Sequence, residues 1–278
     1  QSIDPNVEQA FWKNYLADFE SPSLLPFVAP QSNRNQASQH FGLDQLALDT
    51  HTTNDIKQFA QKHHLTVNTI MQGVWGILLS RYSNQSDCLY GVTVAGRPAH
   101  LEGVDQRVGL YINTLPIRIQ VEDTQQIVDY LSKIQKNHSQ ARVHEYASMV
   151  DIQNWSGIPG DLFDSILVFE NYPLGDLFAE DQAIQITDIQ TREKSNFLLT
   201  IAVNMGAILD IGFSFNRDLL DPEYVQLIKG HFKTVLQQII QPTTITLDDI
   251  DLLTQQERRQ ILETFNPPLT GLSDIQTV

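Results

Sequence analysis

The sequence is poor in cysteine and in basic residues, and each shortage excludes certain structures or binding partners. Cys88 is the only cysteine in 278 residues, so no disulfide can form within the chain, and a reducing compartment such as the cytoplasm is expected. Lysine and arginine number 18 against 33 acidic residues, which gives a formal charge of -15. A surface this negative repels phosphate backbones and anionic lipid headgroups, so we expect neither nucleic acid nor a membrane as a partner.

Long apolar runs are missing as well. No stretch approaches the roughly 20 apolar residues that a membrane-spanning helix needs, and residues 1–20 lack the pattern of a signal peptide. The remaining composition, 41% hydrophobic and 18% charged, is that of an ordinary globular protein with a large core. Because the first residue is not methionine, we expect a processed protein or part of a longer one.

The sequence also lacks the common catalytic motifs. It has no G-x-S-x-G nucleophile motif, no C-x-x-C pair and no second histidine at the spacing of a zinc-binding helix, so no metal site is expected. The adjacent histidines in "QKHHLTVNT" (61–69) are either catalytic or metal-binding, or two unremarkable residues at a helix end. The pattern favours the second interpretation, because His63 falls on the apolar face of a predicted helix and His64 near its C-terminus, where the helix dipole favours a cation.

Apolar residues at helical spacing predict several helices. The first covers about 4–19, capped by Asp4 with Pro5 in its first turn. Its predicted buried face consists of Val7, Phe11, Tyr15 and Phe19. Further helices are predicted over about 53–64, after Thr66, from Thr124, after Asp221 and, with a capping box to Glu257, from Thr254. The helix after Asp221 is expected to bury Tyr224, Leu227, Ile228, Phe232, Val235, Leu236 and Ile239, and the helical histidines His138, His144 and His231 show no obvious partners.

Runs of β-branched and aromatic residues predict the strands. These runs cover 88–96, 108–121, 163–172, 183–191, 196–204 and 208–215. "MGA" (205–207) is a hairpin signal between the last two, and 21–42 is predicted to be a loop. Helices interspersed with these strands predict an α+β fold, with helices packed on a mixed or antiparallel sheet.

Two ordered motifs are more specific than any of these patterns. "GVTVAGRP" (91–98) is followed, after a short spacer, by "VGLYINTLPIR" (108–118), and together they resemble the second half of a condensation domain of a nonribosomal peptide synthetase. The stretches 145–173 and 252–266 resemble the later segment of that family and its connector to an adenylation domain, and the opening helix resembles its mid-domain helix. The resemblance covers about 8–266.

The resemblance implies a catalytic signature, HHxxxDG, which this sequence does not contain. After His63 and His64 the motif would require Asp and Gly where Asn68 and Thr69 stand. We therefore expect 1–265 to be the C-terminal lobe of a condensation domain, like chloramphenicol acetyltransferase in fold, and 266–278 to be a linker toward an adenylation domain. The histidine-bearing N-terminal lobe would be absent.

The family's activity implies the expected partners and site residues. Two carrier proteins present thioesters on phosphopantetheine arms, and the amine of one attacks the carbonyl of the other. No cofactor would bind this chain directly. Arg97 matches the family arginine that pairs with the signature aspartate, and Asn113 either ties down a loop or faces the tunnel. Tyr111 and Ser165 are expected to face the substrates, whereas Trp75 is expected in the core.

Three hypotheses follow for the function of the chain. It is part of an amide-forming domain that is inactive alone, a non-enzymatic module that docks carrier proteins or an adenylation domain, or a stand-alone acyltransferase that uses a thioester. The last would need a complete histidine motif. A lobe without its neighbour would expose apolar surface, above all around 161–194. We therefore expect either self-association or a 161–194 segment that is disordered or refolded against the body of the chain.

Overall fold

The computed structural model describes residues 4–28, 40–95, 111–170, 195–241 and 245–264. Within these ranges the helices are α1 (Pro5–Tyr15), α2 (Thr50–Lys62), α3 (Val67–Ser83), α4 (Ile127–Val143), α5 (Met149–Ser156), α6 (Pro222–Ile239) and α7 (Gln255–Arg259). The strands are β1 (Phe41–Ala47), β2 (Asp87–Val94), β3 (Asn113–Gln120), β4 (Ser165–Glu170), β5 (Leu199–Met205) and β6 (Leu209–Asn216). A short 3-10 turn (Leu247–Asp249) and a π-helical turn (Gln260–Thr264) complete the description.

The strands form one mixed sheet in the order β1-β6-β5-β4-β2-β3. Strand β4 runs parallel to both β2 and β5, while the other neighbours pair antiparallel. The predicted hairpin is confirmed, since Met205 pairs with Leu209 across its turn. The predicted α+β fold with helices on a mixed sheet is therefore confirmed.

Side-chain caps start the helices where local sequence signals place them. Asp4, Thr66, Asp221 and Thr254 each accept a hydrogen bond from a backbone N–H in the first turn of the following helix. Glu257 completes the predicted capping box with Thr254. These caps satisfy N–H groups that would otherwise lack a partner inside the helix.

Helix α3 is the centre of the core. Trp75 has no exposed surface, as predicted, and most of the helix is buried on all sides. Gly73 and Gly76 let α4 approach closely: a Cβ at Gly73 would collide with Leu131, and one at Gly76 with Tyr130 and Ile119. Any side chain at either glycine would therefore push α3 away from α4 or from the sheet.

Two predicted buried faces are corrected by the structure. Helix α1 buries Trp12, not Val7, which is exposed. Helix α6 buries Val225, whereas the predicted core residues Tyr224 and Leu227 are exposed. In both helices the apolar stripe is broader than the buried face, and the packed neighbours select which part is covered.

Some features of the structure were not predicted, because they depend on distant residues. Strand β1 and helix α5 were not predicted. The predicted strand 183–191 lies outside the described residues. The histidines expected to lack partners all have them: His138 pairs with Gln72, His144 with Glu8, and His231 with both Tyr82 and Glu257.

A single arginine holds the end of α1 to the sheet. Arg118 of β3 donates two hydrogen bonds from Nη1, to the carbonyl oxygens of Tyr15 (3.0 Å) and Ala17 (2.6 Å). Its Nε and Nη2 bind the Asp87 carboxylate on β2 at 2.9 and 2.6 Å. Its guanidinium carbon also lies 5.7 Å from the centre of the Phe19 ring. Arg118 thus joins two strands and the chain that follows α1.

Two further observations concern the reactivity of Cys88 and whether a described helix could span a membrane. Burial raises the pKa of the Cys88 thiol to about 11, so the reactive thiolate is scarce at neutral pH. Across the described ranges, each helix is too short or too polar to cross a membrane.

Candidate functional site

The two faces of the sheet differ in what covers them. One face packs on helices: Phe213 meets Phe232 of α6 at 5.9 Å between ring centres, and Ser165 of β4 accepts a hydrogen bond from Trp75 of α3. Because side chains alternate along a strand, the residues between these point to the opposite side. The pairing register therefore defines the composition of the second face.

We call this second side of β1, β6, β5 and β4 the open face. The contacts of these strands with α3 and α6, through Ser165, Phe213 and Asp44, all lie on the opposite side. Three rows of residues cross it: Leu43, Ser214, Thr200 and Ile166; Gln45, Gly212, Ala202 and Val168; and Ala47, Asp210, Asn204 and Glu170. Most of these side chains are small or polar and at least partly exposed. Leu43, on the edge strand β1, is 61% exposed.

The middle row forms a shallow depression at Gly212. A Cβ placed there would have its nearest neighbours, the carbonyl oxygen and Cβ of Ala202 and Cδ1 of Leu43, at 3.9 to 4.0 Å. These are ordinary contact distances, so a Cβ at Gly212 would fit without a clash. The open face can therefore hold an extended molecule against small side chains and polar groups.

Asn113 occupies the start of β3, opposite the end of β2. Its side-chain N–H groups donate to the carbonyl oxygens of Glu145 (2.8 Å) and Ala147 (2.9 Å), and its Oδ1 accepts from the Thr114 N–H. Asn113 thus fastens the connection between α4 and α5 to the sheet. Of the two predicted roles, the structure displays the structural tie.

We expect Asn113→Ala to lower the free energy of unfolding by about 1 to 3 kcal/mol, because two carbonyls and one N–H lose their partner. Asn113→Asp should cost more, since it places a carboxylate against two carbonyl oxygens. Urea denaturation of the purified variants measures both effects. Unchanged stability in both variants would show that Asn113 does not hold this connection.

The other predicted site residues lie in different surroundings. Ser165 has no exposed surface, and its Oγ accepts from Trp75 Nε1 at 3.2 Å, so its hydroxyl has a packing role in the core. Tyr111 is half-buried, two residues before β3. Arg97 lies outside the described residues. Substrate contact by Tyr111 and Ser165, and ion pairing by Arg97, stay predictions.

The histidine pair closes helix α2. His63 is its C-cap residue and stacks obliquely on Phe59, with 4.6 Å between ring centres. Its pKa is lowered by partial burial first, and then by the positive charges of Lys62 and His64. His64 follows with a positive φ of 55°. The helix-end interpretation of the pair matches this geometry.

His63 also lines a groove of about 760 Å³ between α2 and the end of α6. Asp55 lines the same groove, but its carboxylate pairs with the exposed His51. Across the described ranges no three potential metal-binding side chains come together. Within the described groove, the Asp55 carboxylate is therefore engaged by His51 and does not support His63 as a base.

Comparison with known proteins identifies relatives of this architecture. The family described as "Condensation domain" matches residues 1–262. A linear gramicidin synthase of Brevibacillus parabrevis is 35% identical over 265 residues, which are 95% of this chain but 5% of that protein. The chain thus spans about a twentieth of the length of that curated relative.

Solved structures share the fold at low sequence identity. A four domain nonribosomal peptide synthetase bound to AMP and glycine matches with a TM-score of 0.77 and 15% identity, over 93% of this chain and 21% of that one. The X-domain from teicoplanin biosynthesis, in its complex with OxyB, matches with a TM-score of 0.74 and 19% identity, over 90% of this chain and 56% of that one.

Proposed function

Because this chain belongs to the condensation-domain family, we propose that it contributes one lobe of a site for amide-bond formation in nonribosomal peptide synthesis. The substrates would be aminoacyl or peptidyl thioesters on carrier proteins. The family match over residues 1–262 carries this proposal. It agrees with the family resemblance of the two sequence motifs at 91–98 and 108–118.

The open face is the part of the described structure that suits this role. Pantetheine is an extended chain with neutral amide groups, and such a chain fits a surface of small side chains with exposed polar groups. Gly212 and Ala202 leave room above the sheet, and Asn204 offers an exposed amide. The phosphopantetheine arms belong to the carrier proteins, so they would reach this face as part of the substrates.

In this proposal the role of the chain in the reaction is to position the substrates. The acceptor nitrogen attacks the donor carbonyl carbon, the new C–N bond forms, the C–S bond breaks, and the thiol leaves with the proton that the amine loses. Holding two tethered reactants together is itself worth several orders of magnitude in rate. We assign positioning to the open face, and assign to Arg97 the pairing with the signature aspartate of a complementary lobe.

A docking module is the second candidate function. The solved complex of the teicoplanin X-domain with OxyB shows a protein of this fold bound to another protein. A docking module would bind carrier proteins or an adenylation domain without any chemistry at the open face. The two candidates therefore differ in whether changes at the open face alter amide formation.

The test joins this chain to the HHxxxDG-bearing lobe of a relative's condensation domain. We expect amide formation between two loaded carriers, measured by mass spectrometry of the released product. In that assembly Gly212→Leu should slow product formation at least ~100-fold, because a misplacement of about 1 Å costs that much. The thermal midpoint should change little, since a Cβ at Gly212 would meet its neighbours only at ordinary contact distances.

Gly206→Leu is the matched control, since Gly206 is exposed in the turn between β5 and β6 and lies outside the three rows. It should keep the wild-type rate. An assembly that binds both carriers and forms no amide would favour the docking module. Full activity of Gly212→Leu would show that the substrates do not lie on the open face.

A further inference from the structure

The C-terminal part of the described chain has little buried surface to hold it in place. Residues 251–264, which we call the C-terminal strap, include α7 and the π-helical turn that follows it. From residue 255 to residue 264 every residue is exposed except Glu257, which is partly buried. A segment with so few buried side chains opens at a lower free energy than the core does. The contacts of Glu257 are therefore important for keeping the strap in position.

The strap lies along α6 and runs in the opposite direction. At its start, the Asp251 N–H donates to Gln238 Oε1 at 3.0 Å, and the Asp251 carbonyl oxygen accepts from Gln238 Nε2 at 2.7 Å. Further along the strap, Thr254 lies against Gly230, where an added Cβ would be only 3.2 Å from Thr254 Cγ2. The missing side chain at Gly230 thus allows the strap to lie close to α6.

The Glu257 carboxylate connects α7 both to its own first turn and to α6. Its Oε2 accepts from the N–H of Thr254 at 2.9 Å and from the Thr254 hydroxyl at 2.6 Å. The same carboxylate accepts from His231 Nε2, which lies 2.9 Å from Oε1 and 3.1 Å from Oε2. Burial acts to raise the pKa of Glu257, but the hydrogen bonds from Thr254 and His231 outweigh it and lower the pKa. The group is therefore ionised at neutral pH.

His231 is held in the form that donates to Glu257. A carboxylate only accepts, so Nε2 carries the proton, and in the neutral ring Nδ1 is then an acceptor. The Tyr82 hydroxyl on α3 lies 2.8 Å from Nδ1 and donates to it. Burial and then the negative charge of Glu257 raise the pKa of Tyr82, so its hydroxyl keeps the proton. Because Tyr82 and His231 lie on the packed helices α3 and α6, the donor for Glu257 does not depend on the strap.

The helical form of α7 and its contact with α6 depend on each other. An isolated helix as short as Gln255–Arg259 is not stable in water, so α7 needs the contact. If α7 unwinds, Glu257 is no longer fixed opposite His231. The strap therefore has two states, one docked and helical, the other released and unwound. Residues 255–264 span roughly 15 Å as a helix but up to about 33–36 Å when extended.

We propose that the C-terminal strap releases from α6 as one unit when the contact between His231 and Glu257 breaks. The chain continues beyond residue 264, so the state of the strap sets how far the residues that follow can move from α6. The contact between Gln238 and Asp251 marks the point from which the strap swings. This inference does not depend on amide formation, and it applies equally to a docking module.

Hydrogen exchange of the purified 278-residue chain, followed by mass spectrometry of peptides covering 254–264, tests the proposal. We expect His231→Leu to raise the exchange rate at least ~10-fold throughout this segment, because a hydrogen bond to a charged group contributes at least that factor. Peptides from α3 should exchange at the wild-type rate. His231→Gln, which keeps a side-chain N–H donor, should lie closer to the wild type. Faster exchange near Glu257 with unchanged exchange at 260–264 would show that the strap does not release as one unit.

A second variant breaks the same contact from the side of the strap and leaves the pair of Tyr82 and His231 intact. Glu257→Ala should also accelerate exchange at 254–264, and the double variant with His231→Leu should exchange no faster than Glu257→Ala alone. Glu263→Ala is the matched control, since Glu263 is an exposed glutamate of the same segment, and it should exchange as the wild type does. Wild-type exchange in His231→Leu, or additive effects in the double variant, would overturn the proposal.

Discussion

Replacing Arg118 by alanine should lower the free energy of unfolding by about 3 to 5 kcal/mol, the range for removing one partner of a buried ion pair. The pair with Asp87 is partly buried, and two hydrogen bonds to backbone carbonyl oxygens are lost with it. The Arg118 side chain is 14% exposed, and its loss leaves the Asp87 carboxylate without its guanidinium. The carbonyl oxygens of Tyr15 and Ala17 lose their donor at the same time. Because these contacts fix the end of α1, the loss should loosen α1 as well as the sheet edge.

Urea denaturation followed by tryptophan fluorescence measures this effect, with Arg81→Ala as the matched control. Arg81 also pairs with an aspartate, Asp123, at 2.7 Å, but both groups are more exposed, so its loss should cost only about 0 to 1 kcal/mol. Arg118→Lys should fall between the two, because lysine keeps the charge and loses the fork. If Arg118→Ala and Arg81→Ala lower the free energy of unfolding equally, the contacts of Arg118 stabilise the fold no more than an exposed ion pair does.

Signals that lie within a few residues of each other were predicted well from the sequence. The caps Asp4, Thr66, Asp221 and Thr254 lie next to the helices that they start, and a cap is recognised from its own side chain and the residues that follow. Helix α3 was predicted correctly. Apolar residues cover most of its surface, so its burial does not depend on which side faces the sheet. These elements depend little on distant residues.

Orientation and pairing were predicted less well, since they depend on distant residues. The spacing of Val7, Phe11 and Tyr15 marks a real apolar stripe, but the core selected the neighbouring face with Trp12. Strand β1 includes Asp44 and Gln45, and it pairs with β6 far along the chain. His231 on α6 contacts Tyr82 on α3 and Glu257 on α7, so its partners depend on the packing of three helices.

One candidate site residue can be followed from motif resemblance to its contacts. The motif at 108–118 singled out Asn113, and the structure shows its side chain in the structural role that was one of the two alternatives. The same motif ends in Arg118, whose importance was missed. The available signal was a charged residue among the apolar residues of β3, which implies a buried partner. The partner Asp87 lies on a different strand, so spacing alone could not identify it.

The purified 278-residue chain should form no amide between a loaded donor carrier and a loaded acceptor carrier. The sequence has no HHxxxDG signature, and the pair that resembles its first two residues lies at the end of α2. There His63 packs on Phe59, and burial and nearby positive charge lower its pKa. Under the proposed function the chain supplies only one lobe of the site, so the rate should stay at the uncatalysed level. Mass spectrometry of the carrier-bound species over several hours measures this.

Two further experiments test whether His63 or His64 has a catalytic role. In the assembly with a signature-bearing lobe, His63→Ala and His64→Ala should each keep the wild-type rate, because neither residue lies on the open face. The chain alone should also fail to acylate an amine from an acyl-coenzyme A, which tests the stand-alone acyltransferase. Amide product from the chain alone that disappears in His63→Ala would mean that the groove between α2 and α6 is an active site. The assignment of chemistry to a complementary lobe would then be wrong.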